Sequence, residues 1–262
     1  RRATLPRPLR ETSRFGIDAV SRSLLYCRKA RPTAMPTPDQ HMNPIPWRLR
    51  AAISDRFPLL YHYAANLLRP RREERYWDDR LAETWHRRTW PTKNALIAGR
   101  VQRDDAILDI ACGNGSILRD LKSRGFTNLS GLELSRYAVD RLRAEGFTMF
   151  HGALPRLPVP DASFDVVIAS QILEHVIRRD LFCSEITRVL RPAGQAFFFV
   201  PNDCLGPIDE PEHVIKYRRP TFEAFMRKHF EVLAIEVIKD ANYSMSILLG
   251  QVRRKGAAAP PG

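Results

Sequence analysis

Three hydrophobic regimes follow one another along the 262 residues. Up to Pro46 no apolar period persists, and prolines at 6, 8, 32, 36, 38, 44 and 46 interrupt whatever begins, which predicts a tail. From Trp47 the run PWRLRAAISDRFPLLYHYAANLL spaces its apolar residues helically, and Pro58 should divide it into two short helices. A further helix is predicted over 74–90, where Tyr76, Trp77, Leu81 and Trp85 recur at steps of three to four; such a stripe either packs as core or lines a site. Beyond residue 101, strand-like runs at 105–111, 128–134, 147–151, 164–170 and 195–201 alternate with helical stretches. Repeated strand–helix units with short turns predict a parallel sheet covered on both faces, with ligands at the carboxyl ends of its strands. After a helix at 221–230, EVLAIEVI and YSMSILLGQV follow with no helix between them, completing seven strands. The expected organisation is a tail (1–46), a helical cap or lid (47–100), an α/β domain (101–252) and a frayed end (253–262).

The turn after the first strand carries the candidate chemistry. In ILDIACGNGSIL (107–118), Gly113 and Gly115 let the backbone turn tightly and approach a ligand without a Cβ in the way. Glu133 closes the second strand 18 residues beyond Gly115, where a nucleotide-binding βαβ unit places a carboxylate for ribose hydroxyls. Leu118 stands where a nicotinamide fingerprint has its third glycine, and the Gly-Lys-Ser/Thr of a Walker loop is absent.

At 107–118 the chain resembles motif I of the class I S-adenosylmethionine-dependent methyltransferases, an acid followed by alternating small residues: Asp109, Ala111, Gly113, Gly115. LPRLPVPDASFDVVIASQILEHV (154–176) is similar to the fourth-strand segment of the small-molecule, or type 11, branch. ITRVLRPAGQAFFFVPN (186–202) is similar to its next helix, Pro-Gly turn and fifth strand. The resemblance implies a Rossmann-like, seven-stranded, mostly parallel sheet whose last two strands are antiparallel. It also implies S-adenosyl-L-methionine as cofactor and N-terminal helices that fold over it.

By that resemblance Gly113, Asn114 and Gly115, with the small residues Ala111 and Cys112, carry the methionine end of the cofactor, its carboxylate meeting the helix N-terminus. Asp109 would hold the methionine amine, Glu133 both ribose hydroxyls, and Leu134 the adenine face. Many relatives bind the adenine amino group with an Asp where this chain has Ala153, so backbone groups of Ala153 and Leu154 are expected to serve. Ser170 and Gln171, at the end of the fourth strand, complete the expected cofactor contacts. Glu174 and His175 match the end of an ExxEH metal motif used by some methyltransferases, but Gln171 replaces its first carboxylate and no metal is expected. His175 is a candidate general base or a structural histidine, and His213, before the last helix, is a second candidate.

Charge and composition narrow the substrate class. The net +13 lies wholly in residues 1–103, with 22 Lys and Arg against 9 Asp and Glu, whereas residues 104–262 carry 20 of each. An RNA groove would also charge the domain around the glycine loop. SQIL stands where nucleobase N-methyltransferases carry an Asn-Pro-Pro-Tyr-like tetrad. Both observations favour a small or lipid-like acceptor over the alternatives, an RNA methyltransferase or a cofactor-binding protein without transfer activity. Trp47, the arginines and Leu59–Leu68 also admit peripheral membrane contact, with core packing as the other reading. Cys27, Cys112, Cys183 and Cys204 have neither CxxC nor metal-ligand spacing, which suits free thiols in a reducing cytoplasm. The chain opens on Arg1, so Met35 and Met42 are candidate start sites.

Overall fold

Seven strands form one sheet in the computed structural model, which describes residues 45–66, 73–86, 89–210, 212–242 and 245–256. The expected tail up to residue 44 and the end beyond 256 lie outside the described residues. The strands are β1 (Ile107–Ile110), β2 (Leu129–Glu133), β3 (Thr148–His151), β4 (Phe164–Ser170), β5 (Leu190–Pro201), β6 (Glu231–Lys239) and β7 (Ser246–Arg253), in the order β3-β2-β1-β4-β5-β7-β6. Pairing is parallel from β3 to β5, while β7 runs antiparallel to both β5 and β6. β1 lies between β2 and β4, because the chain builds outward to β3 and then returns to the other side of β1. That reversal leaves a crevice at the carboxyl ends of β1 and β4.

Side-chain alternation divides the core between the two faces of the sheet. Leu108, Ile110, Val167, Ala169 and Phe198 face helices α7 (Arg179–Val189) and α8 (Arg219–His229), packing with Phe182, Ile186, Phe222 and Met226. Ile107, Val166, Ile168, Phe197 and Phe199 face α4 (Pro91–Ala98), α5 (Ser116–Ser123) and α6 (Arg136–Ala144), packing with Ile97, Leu118, Leu121 and Leu142. The same parity puts Asp109 and Ser170 on the second face, toward α4.

Before the sheet come α1 (Trp47–Arg56), α2 (Pro58–Asn66) and α3 (Glu73–Thr84), the first two divided at Phe57 as Pro58 requires. The single helix expected over 74–90 is corrected: α3 stops at Thr84, and α4 is a separate helix with Pro91 in its first turn. Pro91 fits a first turn but not a helix interior. Trp85 leaves the α3 line to bury itself, with the Arg119 and Arg141 guanidinium carbons each 5.1 Å from its ring centroid. β5 begins at Leu190, earlier than the expected 195: Leu190 pairs with Phe164, the Pro-Gly turn bulges out, and the ladder resumes at Gln195 opposite Val166.

α5 starts directly after Gly115, whose φ of 73° is left-handed. A Cβ at Gly115 would overlap the Leu142 side chain of α6. Gly115→Ala should therefore lower stability by roughly 1–3 kcal/mol, combining backbone strain with overpacking. Denaturant unfolding checks this, and an unchanged midpoint would show that α6 gives way freely.

Candidate active site

The glycine loop is fixed from β2. Ala111, Gly113 and Gly115 all have positive φ, 53°, 54° and 73°, which curls the loop tightly over the end of β1. Glu133 Oε2 accepts the Gly113 N–H at 2.8 Å, and its Oε1 accepts those of Leu134 at 2.8 Å and Ser135 at 3.2 Å. Burial raises the Glu133 carboxyl above its ordinary range, while these three backbone bonds favour its charged form. Asn114 turns toward α3 instead, donating from Nδ2 to the Trp85 carbonyl at 2.8 Å, so the loop also holds the end of that helix.

Three ionisable groups lie buried between β1, β4 and α4. Lys93, fully buried on α4, donates from Nζ to Ser170 Oγ at 2.5 Å and sits 4.2 Å from the Trp90 ring centroid. Burial lowers its amine to about 8, opposed by Asp109, Asp240 and Glu174. Asp109 is 1% exposed and neither carboxylate oxygen has a hydrogen-bond partner, so the lysine stops short of it. Burial pushes Asp109 up to about 7 against the pull of Lys93. Glu174, in the short 3-10 helix Leu173–His175, is equally buried, also has both oxygens unpartnered, and is pushed up to about 8. Unpartnered buried carboxylates are costly, and such groups cluster where a ligand completes them.

Beside them stands a histidine cluster. The rings of His175 and His213 meet edge to face at 4.5 Å, and Trp77 of α3 packs on His175 at 5.8 Å. His175 Nδ1 bonds the Glu212 carbonyl at 3.2 Å, His213 Nδ1 bonds the Leu205 carbonyl, and His62 of α2 reaches the His213 carbonyl at 3.0 Å. Burial, then the His213 charge, lowers His175 to about 3, and burial lowers His213 as well. An imidazole as depressed as His175 is neutral and a weak proton acceptor at physiological pH. Glu174, His175 and His213 each offer one ligating atom within 4.8 Å of the others.

All of this opens into a cavity of about 900 Å³. Asp109, Ala111, Cys112, Gly113 and Asn114 line it from the loop; Glu133, Leu134, Ala153 and Leu154 line it from beyond β2 and β3; Ser170, Gln171, His175 and His213 line it from β4 onward. One expected residue stands off the wall. Gly115 does not reach the cavity wall, since its open side is filled by Leu142, and it acts by shaping the loop. The Cys112 thiol is buried beside Gly131, and burial raises it well above its ordinary range.

Lys93 escaped the sequence reading. The one signal for it was its spacing, four residues before the buried Ile97 on the same face of α4. Tyr76 and Arg80 were also missed as a pair: both hydrogen-bond Glu212 Oε1, Arg80 at 2.8 Å, tying α3 to the loop that carries His213. The stripe on α3 therefore serves both ends of the earlier alternative, with Leu81 in the core and lining the cavity, and Trp77 at its wall.

Residues 108–198 match a family described as a methyltransferase domain. A relative from Mycolicibacterium smegmatis, named "Probable S-adenosylmethionine-dependent methyltransferase", is 34% identical over 207 residues, covering 72% of this chain and 75% of its own. The 27-O-demethylrifamycin SV methyltransferase of Amycolatopsis mediterranei is 32% identical over 139 residues, 48% of this chain and 51% of that one, so the chain spans about half its length. Among solved structures, the methyltransferase partner in a complex with the Haloferax volcanii Trm112 activator superposes with a TM-score of 0.57 at 20% identity, covering 73% of this chain and 99% of that one. At that identity the likeness concerns the fold.

The buried acids make stability pH-dependent. Glu174 binds its proton more tightly folded, near 8, than unfolded, near 4.5, so its contribution to stability falls as pH rises through that window. Glu174→Gln should therefore raise the melting temperature more at pH 8 than at pH 5. An equal gain at both would show that the carboxyl is not held protonated.

Proposed function

The chain belongs to the S-adenosylmethionine-dependent methyltransferases, and from that premise we propose that it methylates a small or lipid-like acceptor bound beneath its N-terminal helices. The observation that carries this reading is the complementarity of the buried charges to a zwitterionic cofactor. The unpartnered carboxylate of Asp109 suits an ammonium, the Lys93 amine suits a carboxylate, and both adjoin the glycine loop and Glu133 in one cavity.

The cofactor, when bound, supplies a methyl group already activated by its sulfonium. Glu133 would hold the ribose hydroxyls, exchanging or sharing its backbone partners; Leu134 would cover the adenine, and the backbone at Ala153 and Leu154 would bind its edge. Ser170 and the unpartnered Nε2 of Gln171 line the same cavity and would orient the amino-acid portion. Trp77, His175 and His213 wall the acceptor side, excluding water and holding the acceptor in line. His175 acts by shape, because burial makes it a weak base.

Metal binding is not part of the proposal. Gln171 supplies an amide where a carboxylate would help hold a hard cation, and the charge of Lys93 already acts on Glu174. Nor is nucleic acid, since residues 104–262 are charge-balanced. The rifamycin relative, by its name, acts on a small molecule, which supports the same acceptor class.

Incubating the chain with isotope-labelled S-adenosylmethionine and metabolite or lipid extracts, followed by mass spectrometry, should reveal a labelled product of low mass. Cofactor binding with no product from any extract would instead support a binding protein, and label in RNA would support the nucleic-acid alternative. Glu133→Ala should weaken S-adenosylhomocysteine binding by roughly 1.5–3 kcal/mol by calorimetry, the range for charge-assisted hydrogen bonds. His175→Ala or His213→Ala should slow transfer by less than about a hundredfold, the scale of losing a general base, and EDTA should leave the rate unchanged. An EDTA-sensitive rate restored by a divalent cation would place a metal among Glu174, His175 and His213.

A further inference from the structure

The N-terminal helices carry large apolar side chains that stand in water. Trp47 is 50% exposed and Leu49 53% on α1, Phe57 55% between the helices, and Leu60 64% and Tyr63 55% on α2. Ile177 is 42% exposed, and both Tyr63 and Ile177 line the cavity itself. A cap that served only to cover a core would turn these residues inward.

The charges on the same helices are mostly basic. Arg48 and Arg56 are exposed, as is Arg178 beside Ile177. Asp55 is the one acid of α1 and α2, and it is paired with Lys216 at 2.9 Å and Arg218 at 3.5 Å. The segment before residue 104 holds the entire basic excess of the sequence. Among the described residues no helix is long and apolar enough to cross a membrane.

We propose that the exposed face of α1 and α2, with the Ile177–Arg178 rim, docks on an anionic lipid surface, from which the acceptor enters the cavity. This rests on the lipid-like acceptor proposed above. Aromatic and aliphatic groups beside arginines match an interface with hydrocarbon below and anionic headgroups above. A second copy of the chain fits the face poorly, because its arginines would meet their own kind. The entrance and the docking face are continuous: on α2, His62 reaches inward to the His213 carbonyl while its neighbour Tyr63 faces the opening.

The test is sedimentation of the full chain with phosphatidylcholine vesicles, with and without phosphatidylglycerol. Binding should need the anionic lipid and weaken with salt. The combined variant Trp47→Ser, Phe57→Ser, Leu60→Ser should lose about tenfold or more in vesicle affinity, as expected for removing the buried apolar anchors. Its S-adenosylhomocysteine affinity should stay unchanged, since none of the three lines the cavity. Arg48→Glu with Arg56→Glu, which leaves the apolar groups in place, should lower binding to anionic vesicles as well. No vesicle binding by the unaltered chain, or equal binding by a folded triple variant, would overturn the proposal. Self-association that the triple variant abolishes, without lipid binding, would assign the face to a second copy instead. Cofactor affinity and methyl transfer are read separately, so docking can fail while the transferase activity stands.

Discussion

A lysine and two carboxylates buried together, with the carboxylates lacking hydrogen bonds, is the constraint on which the rest of this molecule turns. Lys93, Asp109 and Glu174 lie where β1, β4 and α4 converge, and burial displaces each from its ordinary pKa. Removing such charges from water costs more than their separated positions return, so the surrounding fold must hold them there. A folded protein retains an unsatisfied cluster of this kind most readily where a ligand satisfies it.

The sheet supplies that support. Every residue of β1 and β2 is buried, and the strands on either side of β1 fix the direction in which Asp109 projects. Because chain order reverses at β1, no crossover covers the carboxyl ends of β1 and β4, and the glycine loop, Glu133 and Ser170 meet there. Glu133 links two of these parts by accepting the Gly113 N–H, so the carboxylate proposed for the ribose also helps set the loop. The helical cap reaches the same place from above, through Arg80 and Tyr76 to Glu212 and through His62 to His213. The cap, the glycine loop and the histidine cluster thus meet along one cavity wall.

Much of this is legible in the sequence because parallel strands buried on both faces read as short apolar runs. β4 occupies 164–170 as expected, and β1, β2 and β3 differ only at their ends. Pro58 and the Pro-Gly turn before Gln195 also announce themselves, since proline and glycine act through local backbone geometry. What escaped depends on contacts distant in sequence. The end of α3 at Thr84, short of the expected 90, accompanies Trp85 finding partners on α5 and α6, and Lys93 meets Ser170 across 77 residues. The depression of His175 arises from packing beneath Trp77 and against His213, which no spacing of histidines reveals.

The account therefore turns on whether the buried charges receive the amino-acid end of the cofactor. Calorimetry of S-adenosylhomocysteine and of 5′-methylthioadenosine, which lacks that end, against the unaltered chain and Lys93→Met decides it most directly. The Lys93→Met chain should bind S-adenosylhomocysteine about ten- to a hundredfold more weakly, as for a lost charge-assisted bond, and bind methylthioadenosine as before. The unaltered chain should itself lose affinity for S-adenosylhomocysteine above about pH 8, where Lys93 sheds its proton. Undiminished S-adenosylhomocysteine affinity in Lys93→Met, or an equal loss for both ligands, would contradict the account.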